Sequence, residues 1–327
     1  MTNPPELPDL AALDAAAVLV HRVVPPTPQY RWPLLSRRVG AEVWVKHENH
    51  TPIGAFKVRG GVVYLDNLRK AQPEIRGVVT ATTGNHGQSV AYSAAALGLA
   101  ATIVVPEGNN PGKNRAMRGF GATLVETGHD FQAAYEHAAA LAEQENLHFV
   151  RSFHPLLVRG VASYALELFG VVADIDIVYV PVGLGSGICG VIAAREALGL
   201  TTEIVGVVAE NAPTYALSFA AGKPVPTNRA DTLAEGLAVR VPDAEALAII
   251  LKHAARIVTV SDAEIRQAAR AMFADTRNLA EGASAAPLAA ALQERARLAG
   301  KRVALIQSGG NTERALLAEL LSDADPQ

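Results

Sequence analysis

The sequence predicts an α/β fold with two domains, in which twisted, parallel-rich sheets are flanked by helices. Two observations predict it. Short apolar runs alternate along the chain with alanine-rich stretches of helical spacing, which is the pattern of parallel strands covered by helices on both faces. The chain has 327 residues, half of them hydrophobic, which is enough to bury two sizeable cores.

The apolar runs are the predicted strands, and the alanine-rich stretches between them are the predicted helices, since alanine favours helix. The predicted strands cover residues 43–45, 77–81, 101–105, 122–125, 177–182, 204–209, 257–260 and 302–307. The predicted helices cover residues 58–68, 87–97, 131–145, 161–169, 190–198, 262–274 and 284–298. Ser261 precedes the helix 262–274 and is predicted to cap it, with Glu264 supporting the first turn.

Composition and charge exclude several classes of partner. The net charge is −3 and no long basic run occurs, so neither nucleic acid nor an anionic membrane is expected as a partner. The uncharged run 177–194 contains proline and several glycines, so it is predicted to be strand, loop and helix rather than a membrane span. The single cysteine, Cys189, is expected to be a small buried hydrophobe, and a cytoplasmic location is expected.

The segment around Lys57 is the most informative part of the chain. Residues 51–54 break regular structure before Lys57, Phe56 offers it an apolar neighbour, and Gly60-Gly61 let another body approach closely. We expect Lys57 to lie in a loop, where a desolvated amine loses its charge more easily and can form a Schiff base. The alternative is an ordinary solvated lysine, and three glycine-rich turns downstream favour the functional interpretation.

The first of these turns, residues 81–87, follows the predicted strand 77–81 and precedes a helix. Such a junction exposes backbone N–H groups at a positive helix end, which suits a carboxylate. Thr82, Thr83 and Asn85 add side-chain donors. The alternative is an ordinary capped turn between a strand and a helix.

The second and third turns follow apolar strands in the same way. In residues 181–188, three alternate glycines let the backbone wrap a phosphate. Glu210 ends the next strand, so a dinucleotide-binding turn is the rival interpretation, but the third glycine of that fingerprint falls on Ile188. In residues 305–311, Ser308 is suited to hydrogen-bond a heterocycle nitrogen.

Four elements occur together and in this order: Phe56-Lys57-x-Arg59-Gly60, Gly84-Asn85-His86, the glycine turn 183–187, and Ser308-Gly309-Gly310-Asn311. With them the sequence resembles the fold-type II (tryptophan-synthase-β-like) pyridoxal-phosphate enzymes, and among these the serine/threonine dehydratases and serine racemase. The resemblance runs from about residue 24 to residue 311, which is almost the whole chain.

The resemblance implies a role for each residue of these elements. Lys57 is implied as the Schiff-base lysine and a catalytic residue, with Thr83 as a candidate second acid/base. The implied cofactor-binding residues are Phe56 against the pyridine ring, Asn85 at the phenolic oxygen, Gly183, Leu184, Gly185, Ser186 and Gly187 around the phosphate, and Ser308 at the pyridine nitrogen. The implied substrate-binding residues are Thr82, Thr83, His86 and His154.

The implied activity is β-elimination on an L-β-hydroxy amino acid, giving a 2-oxo acid and ammonia, as in the threonine and serine dehydratases. Residues 151–155 depart from the relatives' pattern, so a dehydratase for a larger or acidic substrate (phenylserine or 3-hydroxyaspartate) is an alternative. Thr83 stands where serine racemase has its catalytic serine, which leaves a racemase open. A synthase of the same family and a nicotinamide-dependent oxidoreductase are the remaining alternatives.

The resemblance also implies the domain organisation. Residues 1–52 and 152–327 are expected to form a large domain and residues 53–151 a small inserted one, with pyridoxal phosphate in the cleft at the carboxyl ends of the strands. A small amino acid is the expected substrate, and a homodimer or homotetramer is the expected assembly. Glu210 is a weak candidate for a divalent-metal ligand, because no second carboxylate lies close to it in sequence.

Overall fold

A computed structural model describes residues 5–322 of the chain, with ten strands in that part. They are β1 Gln29–Arg31, β2 Glu42–His47, β3 Gly77–Ala81, β4 Ala100–Val105, β5 Thr123–Glu126, β6 His148–Phe149, β7 Ile177–Pro181, β8 Glu203–Ala209, β9 Arg256–Val260 and β10 Arg302–Gln307. All eight predicted strands are present, with bounds that differ by at most two residues. The two that were not predicted, β1 and β6, are three and two residues long.

The strands form two sheets. The six-stranded sheet has the order β1-β2-β10-β7-β8-β9, and all its pairings are parallel except that of the edge strand β1 with β2. The four-stranded sheet has the order β5-β4-β3-β6 and is entirely parallel. Every residue of β3 and β7 is buried, as expected of strands covered on both faces. The α/β fold class is confirmed.

Fourteen helices flank the sheets within residues 5–322. They are α1 Leu10–His21, α2 Pro33–Val39, α3 Lys57–Ala71, α4 Asn85–Ala96, α5 Pro111–Gly119, α6 Phe131–Gln144, α7 Pro155–Val171, α8 Ser186–Ala197, α9 Thr214–Ala221, α10 Ala244–His253, α11 Asp262–Thr276, α12 Gly282–Gln293, α13 Arg295–Leu298 and α14 Arg314–Ser322. The run 177–194 is strand, turn and helix, as predicted, and none of the described helices has the length and apolarity needed to cross a membrane.

Three local predictions can be compared with the structure. Ser261 caps α11 through a capping box with Glu264, as predicted. Cys189 is fully buried, also as predicted. The prediction that Lys57 lies in a loop is wrong, because Lys57 is the first residue of α3. The preceding residue, Phe56, already has right-handed helical backbone angles, so the helix begins one residue earlier than predicted.

Close helix packing explains the glycines that follow Lys57. A Cβ on Gly60 would lie 2.9 Å from the carbonyl oxygen of Leu157 on α7, and a Cβ on Gly61 would lie 2.3 Å from Ser89 Oγ on α4. Since such distances are shorter than van der Waals contact, the glycines allow α3 to pack closely against both helices. The predicted close approach is confirmed, and it holds Lys57 at the beginning of a tightly packed helix.

Candidate active site

The segment before α3 is fastened to the turn that follows β10. The Phe56 backbone N–H donates to the Ser308 carbonyl oxygen at 2.9 Å, and Ala55 forms an isolated antiparallel bridge with Gly309. The Lys57 amine reaches the turn after β7, where Nζ donates to Ser186 Oγ at 3.3 Å. The lysine segment and two of the three glycine-rich turns therefore meet at one place.

The Lys57 amine lies in an apolar environment. Its Nζ is 5.1 Å from the centroid of the Phe56 ring, which in turn packs edge-on against Tyr164. Burial lowers the pKa of the Lys57 amine to about 8, while the negative charge of Glu281 opposes the shift. An amine with this pKa is partly neutral, and therefore nucleophilic, near physiological pH.

The turn after β7 has the geometry of an anion site. Gly185 has a φ of 101°, in the left-handed region, and α8 begins at the next residue, so the N–H groups of its first turn have no partner within the helix. Ser186 is buried in this first turn. The Leu184 carbonyl accepts a hydrogen bond from the Tyr215 hydroxyl at 3.0 Å, which fixes the backbone of the turn.

Gly183 is required by a backbone contact that the sequence did not reveal. A Cβ at this position would lie 2.3 Å from the carbonyl oxygen of Gly236, in the 3₁₀ helix Glu235–Leu237. The contact pairs two segments that lie more than fifty residues apart in the chain. Gly236 is therefore a residue of the site that no local pattern predicts.

We expect Gly183→Ala to lower the free energy of unfolding by about 1–3 kcal/mol, because the added methyl group must displace backbone atoms. Chemical denaturation measures this. The matched control is Gly170→Ala on α7, where an added Cβ meets no atom within 4 Å. Because alanine is the better helix former, the control should keep or gain stability. Equal stability of the two variants would contradict the packing argument.

A network of amides and a carboxylate lies beside Lys57. Asn85 Nδ2 donates to both carboxylate oxygens of Glu281, at 2.9 and 3.1 Å. Asn85 Oδ1 accepts from Asn311 Nδ2 at 2.8 Å. Ser308 Oγ is 3.0 Å from the Ser284 hydroxyl. Glu281 and Ser284 were not predicted as site residues, although the sequence placed a helix start at 284 where the glutamate, glycine and serine cluster.

The turn after β3 presents Thr82, Thr83 and His86. Thr82 Oγ1 accepts from the Gly84 N–H at 3.1 Å, whereas Thr83 is partly exposed at the tip of the turn.

His86 is buried, and its Nε2 has no hydrogen-bond partner within residues 5–322. Burial and the Lys57 charge lower the pKa of His86 to about 3, while a hydrogen bond with the Val150 backbone opposes them. His86 is therefore a neutral imidazole with an open ring nitrogen.

In the structure, His154 caps a helix and Glu210 is exposed. His154 caps α7, because its Nδ1 accepts from the Leu156 N–H at 3.1 Å, and its ring packs edge-on against Tyr64. Arg151 is exposed, with Nη2 3.7 Å from Asp243 Oδ2. Glu210 is exposed, and no group of three His, Cys, Asp or Glu residues suited to a metal occurs in the described part of the chain. Substrate contact by His154 and metal binding by Glu210 stay predictions.

Comparison with known proteins shows that the chain is similar to one family model, two relatives and one solved structure. A family model described as pyridoxal-phosphate dependent enzyme matches residues 20–309. The L-threonine ammonia-lyase of Thermotoga maritima is 33% identical over 290 residues, covering 88% of this chain and 72% of the relative. The L-threonine ammonia-lyase of Geobacter sulfurreducens is 37% identical over 283 residues, covering 85% and 69%. The structure of maize serine racemase superimposes with a TM-score of 0.91 at 25% identity, covering 97% of both chains.

Proposed function

This chain belongs to the family of pyridoxal-phosphate-dependent enzymes, and we propose on that basis that it is an ammonia-lyase for L-threonine or a similar L-β-hydroxy amino acid. The reaction removes the Cα proton and the β-hydroxyl as water, and hydrolysis returns that water, so the products are a 2-oxo acid and ammonia. One observation carries the proposal: the Lys57 amine is held against the glycine turn before α8, in a chain whose relatives are named L-threonine ammonia-lyases.

The residues present fit the cofactor. Lys57 offers a partly neutral amine, the first turn of α8 offers free N–H groups for a phosphate, and Ser308 offers a buried hydroxyl to a ring nitrogen. When bound, pyridoxal phosphate supplies an aldehyde for the amine and a conjugated ring that draws electrons from the substrate Cα. Phe56 lies against Gly187, where a Cβ would be 3.5 Å from the phenyl ring, so it forms one wall of this site.

We propose the following roles for the residues that face the substrate. The turn 82–84 and the first N–H groups of α4 bind the substrate carboxylate, because a helix N-terminus favours an anion. The Lys57 amine takes the Cα proton, for which a pKa of about 8 is suitable. The neutral His86 donates or accepts at its open Nε2 without adding charge. Ser308 is also uncharged, which disfavours a long-lived charge on the ring and favours prompt loss of the β-hydroxyl.

Racemisation is the second candidate function. Thr83 places a hydroxyl on the partly exposed face of the turn after β3, and maize serine racemase shares the fold over 97% of both chains. A hydroxyl opposite Lys57 would return a proton to the other face of Cα. We propose this as a side activity, measured as D-amino acid formed from the L-substrate by chiral chromatography.

The domain division is also a proposal, with boundaries at residues 52/53 and 151/152. It is supported by the two sheets, since β3, β4, β5 and β6 all lie within 53–151 and the strands of the six-stranded sheet lie outside it. A homodimer or homotetramer, which light scattering tests, and a cytoplasmic location, which the lone cysteine supports, stay predictions. So does weak metal dependence at most.

We expect purified protein supplied with pyridoxal phosphate to be yellow and to form 2-oxo acid from L-threonine or L-serine. The assay measures 2-oxo acid and ammonia with serine, threonine, 3-hydroxyaspartate and phenylserine, at equal concentrations. A preference for 3-hydroxyaspartate or phenylserine would change the proposed substrate but leave the proposed β-elimination unchanged. If none of the four gave an oxo acid and turnover depended on a nicotinamide cofactor, the result would favour the oxidoreductase and contradict the lyase proposal.

A further inference from the structure

Glu281 lies at the centre of the site without a role in the proposed chemistry. It directly precedes α12, and its two carboxylate oxygens lie 2.9 and 3.1 Å from Asn85 Nδ2. The two oxygens of one carboxylate lie close together, whereas the two N–H bonds of an amide point in widely different directions. The two N–H bonds therefore cannot each point at one of these oxygens. One N–H of Asn85 therefore faces the carboxylate, and the other is left for a different acceptor.

The orientation of the Asn85 amide is determined by its neighbours. Asn311 Nδ2 donates to the Ile53 carbonyl at 2.9 Å, and a carbonyl oxygen can only accept, so this nitrogen is identified without ambiguity. The same nitrogen is 2.8 Å from Asn85 Oδ1, which must then be the oxygen of that amide. The Glu281 carboxylate, an acceptor when ionised, holds the amide nitrogen on the other side.

The position of Glu281 is itself constrained. A Cβ on Gly309 would lie 2.8 Å from its Oε1, so the glycine leaves room for the carboxylate. Burial raises the pKa of the Glu281 carboxyl, whereas the Asn85 hydrogen bond, the Lys113 charge and a hydrogen bond from the Asn311 backbone lower it. Burial outweighs these groups, so the pKa of the Glu281 carboxyl stays above its usual value, while the Asn85 and Asn311 donors hold its oxygens in place as acceptors.

We propose that Glu281 is a positioning residue, which together with Asn311 fixes the Asn85 amide so that its second N–H donates to the phenolic oxygen of the cofactor. This inference rests on the proposed function. Asn85 begins α4, which follows β3 of the four-stranded sheet, whereas Asn311 follows β10 of the six-stranded sheet. The network can therefore orient the Asn85 amide only when both sheets have assembled.

The test compares Glu281→Ala, Glu281→Gln and Glu143→Gln, the last being an exposed glutamate on α6. Apo protein is titrated with pyridoxal phosphate, and the absorbance of the bound cofactor is followed as a function of pH. We expect Glu281→Ala to weaken cofactor binding about tenfold, the effect of losing one oriented hydrogen bond. Its absorbance band should also titrate at a shifted pH, because the amide no longer holds the phenolic oxygen.

Glu281→Gln keeps an acceptor oxygen for Asn85, so its cofactor affinity should stay within about threefold of the wild type. Glu143→Gln should match the wild type in every measurement. A merely structural role for Glu281 would lower the melting temperature of the apo protein and leave the pH titration of the band unchanged. That outcome, or equal losses for Glu281→Ala and Glu281→Gln, would overturn the inference. Wild-type protein that forms no cofactor band would instead overturn the proposed function, and this inference with it.

Discussion

Replacing Lys57 by alanine is expected to abolish turnover and the absorbance band of the lysine-bound cofactor. The side chain supplies both the amine that anchors the cofactor and the base that takes the Cα proton, and a positioned base alone contributes about 10²–10⁴-fold. We therefore expect a loss of more than about 10⁴-fold in kcat, since two roles disappear together. Lys57→Arg should fail as completely, because a guanidinium cannot be deprotonated in a protein.

The fold should survive both substitutions at Lys57. Burial disfavours the charged amine, and within residues 5–322 its hydrogen bond is to the Ser186 hydroxyl alone, so removal of the amine costs the fold little. Far-ultraviolet circular dichroism and the melting temperature check this, with the exposed Lys223→Ala as the control that should keep full activity. Ordinary turnover by a folded Lys57→Ala protein would remove Lys57 from the mechanism.

Much of the fold could be predicted from local pattern. The strands β3 and β10 have the predicted bounds, because each is an apolar run that ends in turn residues. The short strands β1 and β6 could not be recognised, since two or three residues carry no period, and β6 pairs with β3, which lies far from it in sequence. Helix α1 did carry a readable signal that we missed, the cap Asp9, whose carboxylate accepts from the Ala12 N–H.

The candidate site divides in a similar way. Lys57 and Ser186 stand in glycine-rich segments, and glycines mark places where backbone must turn or approach closely. Gly236 lies in the 3₁₀ helix Glu235–Leu237 and Glu281 directly precedes α12, and the single glycine at each place does not distinguish it from an ordinary turn. Their contacts with Gly183 and Asn85 arise only when the sheets assemble, so no window of sequence contains both partners.

Arg59, two residues after Lys57, belongs to a buried network of charges that ties α3 to the rest of the protein. Its side chain is fully buried and binds Glu48 through Nε at 2.6 Å and Glu167 through Nη1 at 2.5 Å. Lys46 is buried as well, with Nζ 2.5 Å from Glu167 Oε2. Two cations and two carboxylates thus balance one another, and Glu167 brings in α7 while Glu48 follows β2.

We expect Arg59→Ala to lower the free energy of unfolding by about 3–5 kcal/mol, the cost of leaving buried carboxylates with too little positive charge. Urea denaturation at pH 7 measures it. The control is Lys70→Ala on the same helix, because Lys70 is exposed and its ion pair with the half-buried Asp66 should contribute at most about 1 kcal/mol. A loss of similar size in both variants would show that the buried network contributes no more than a surface pair.

The pH dependence of stability distinguishes loss of the Arg59 charge from a simple loss of packing. In the wild type, burial raises the pKa of Glu167, but the Arg59 charge and hydrogen bonds outweigh it and hold this pKa below 4.5. The folded protein then binds fewer protons than the unfolded chain, so the contribution of Glu167 is lost as the pH falls through its folded pKa. Without Arg59, only Lys46 still opposes burial, so the folded pKa of Glu167 rises. The difference in unfolding free energy between the wild type and Arg59→Ala should therefore narrow as the pH falls from about 7 to about 5, because Glu167 takes up its proton at a higher pH in the folded variant. Parallel stability curves for the two proteins over that range would mean that Arg59 stabilises the fold by packing alone.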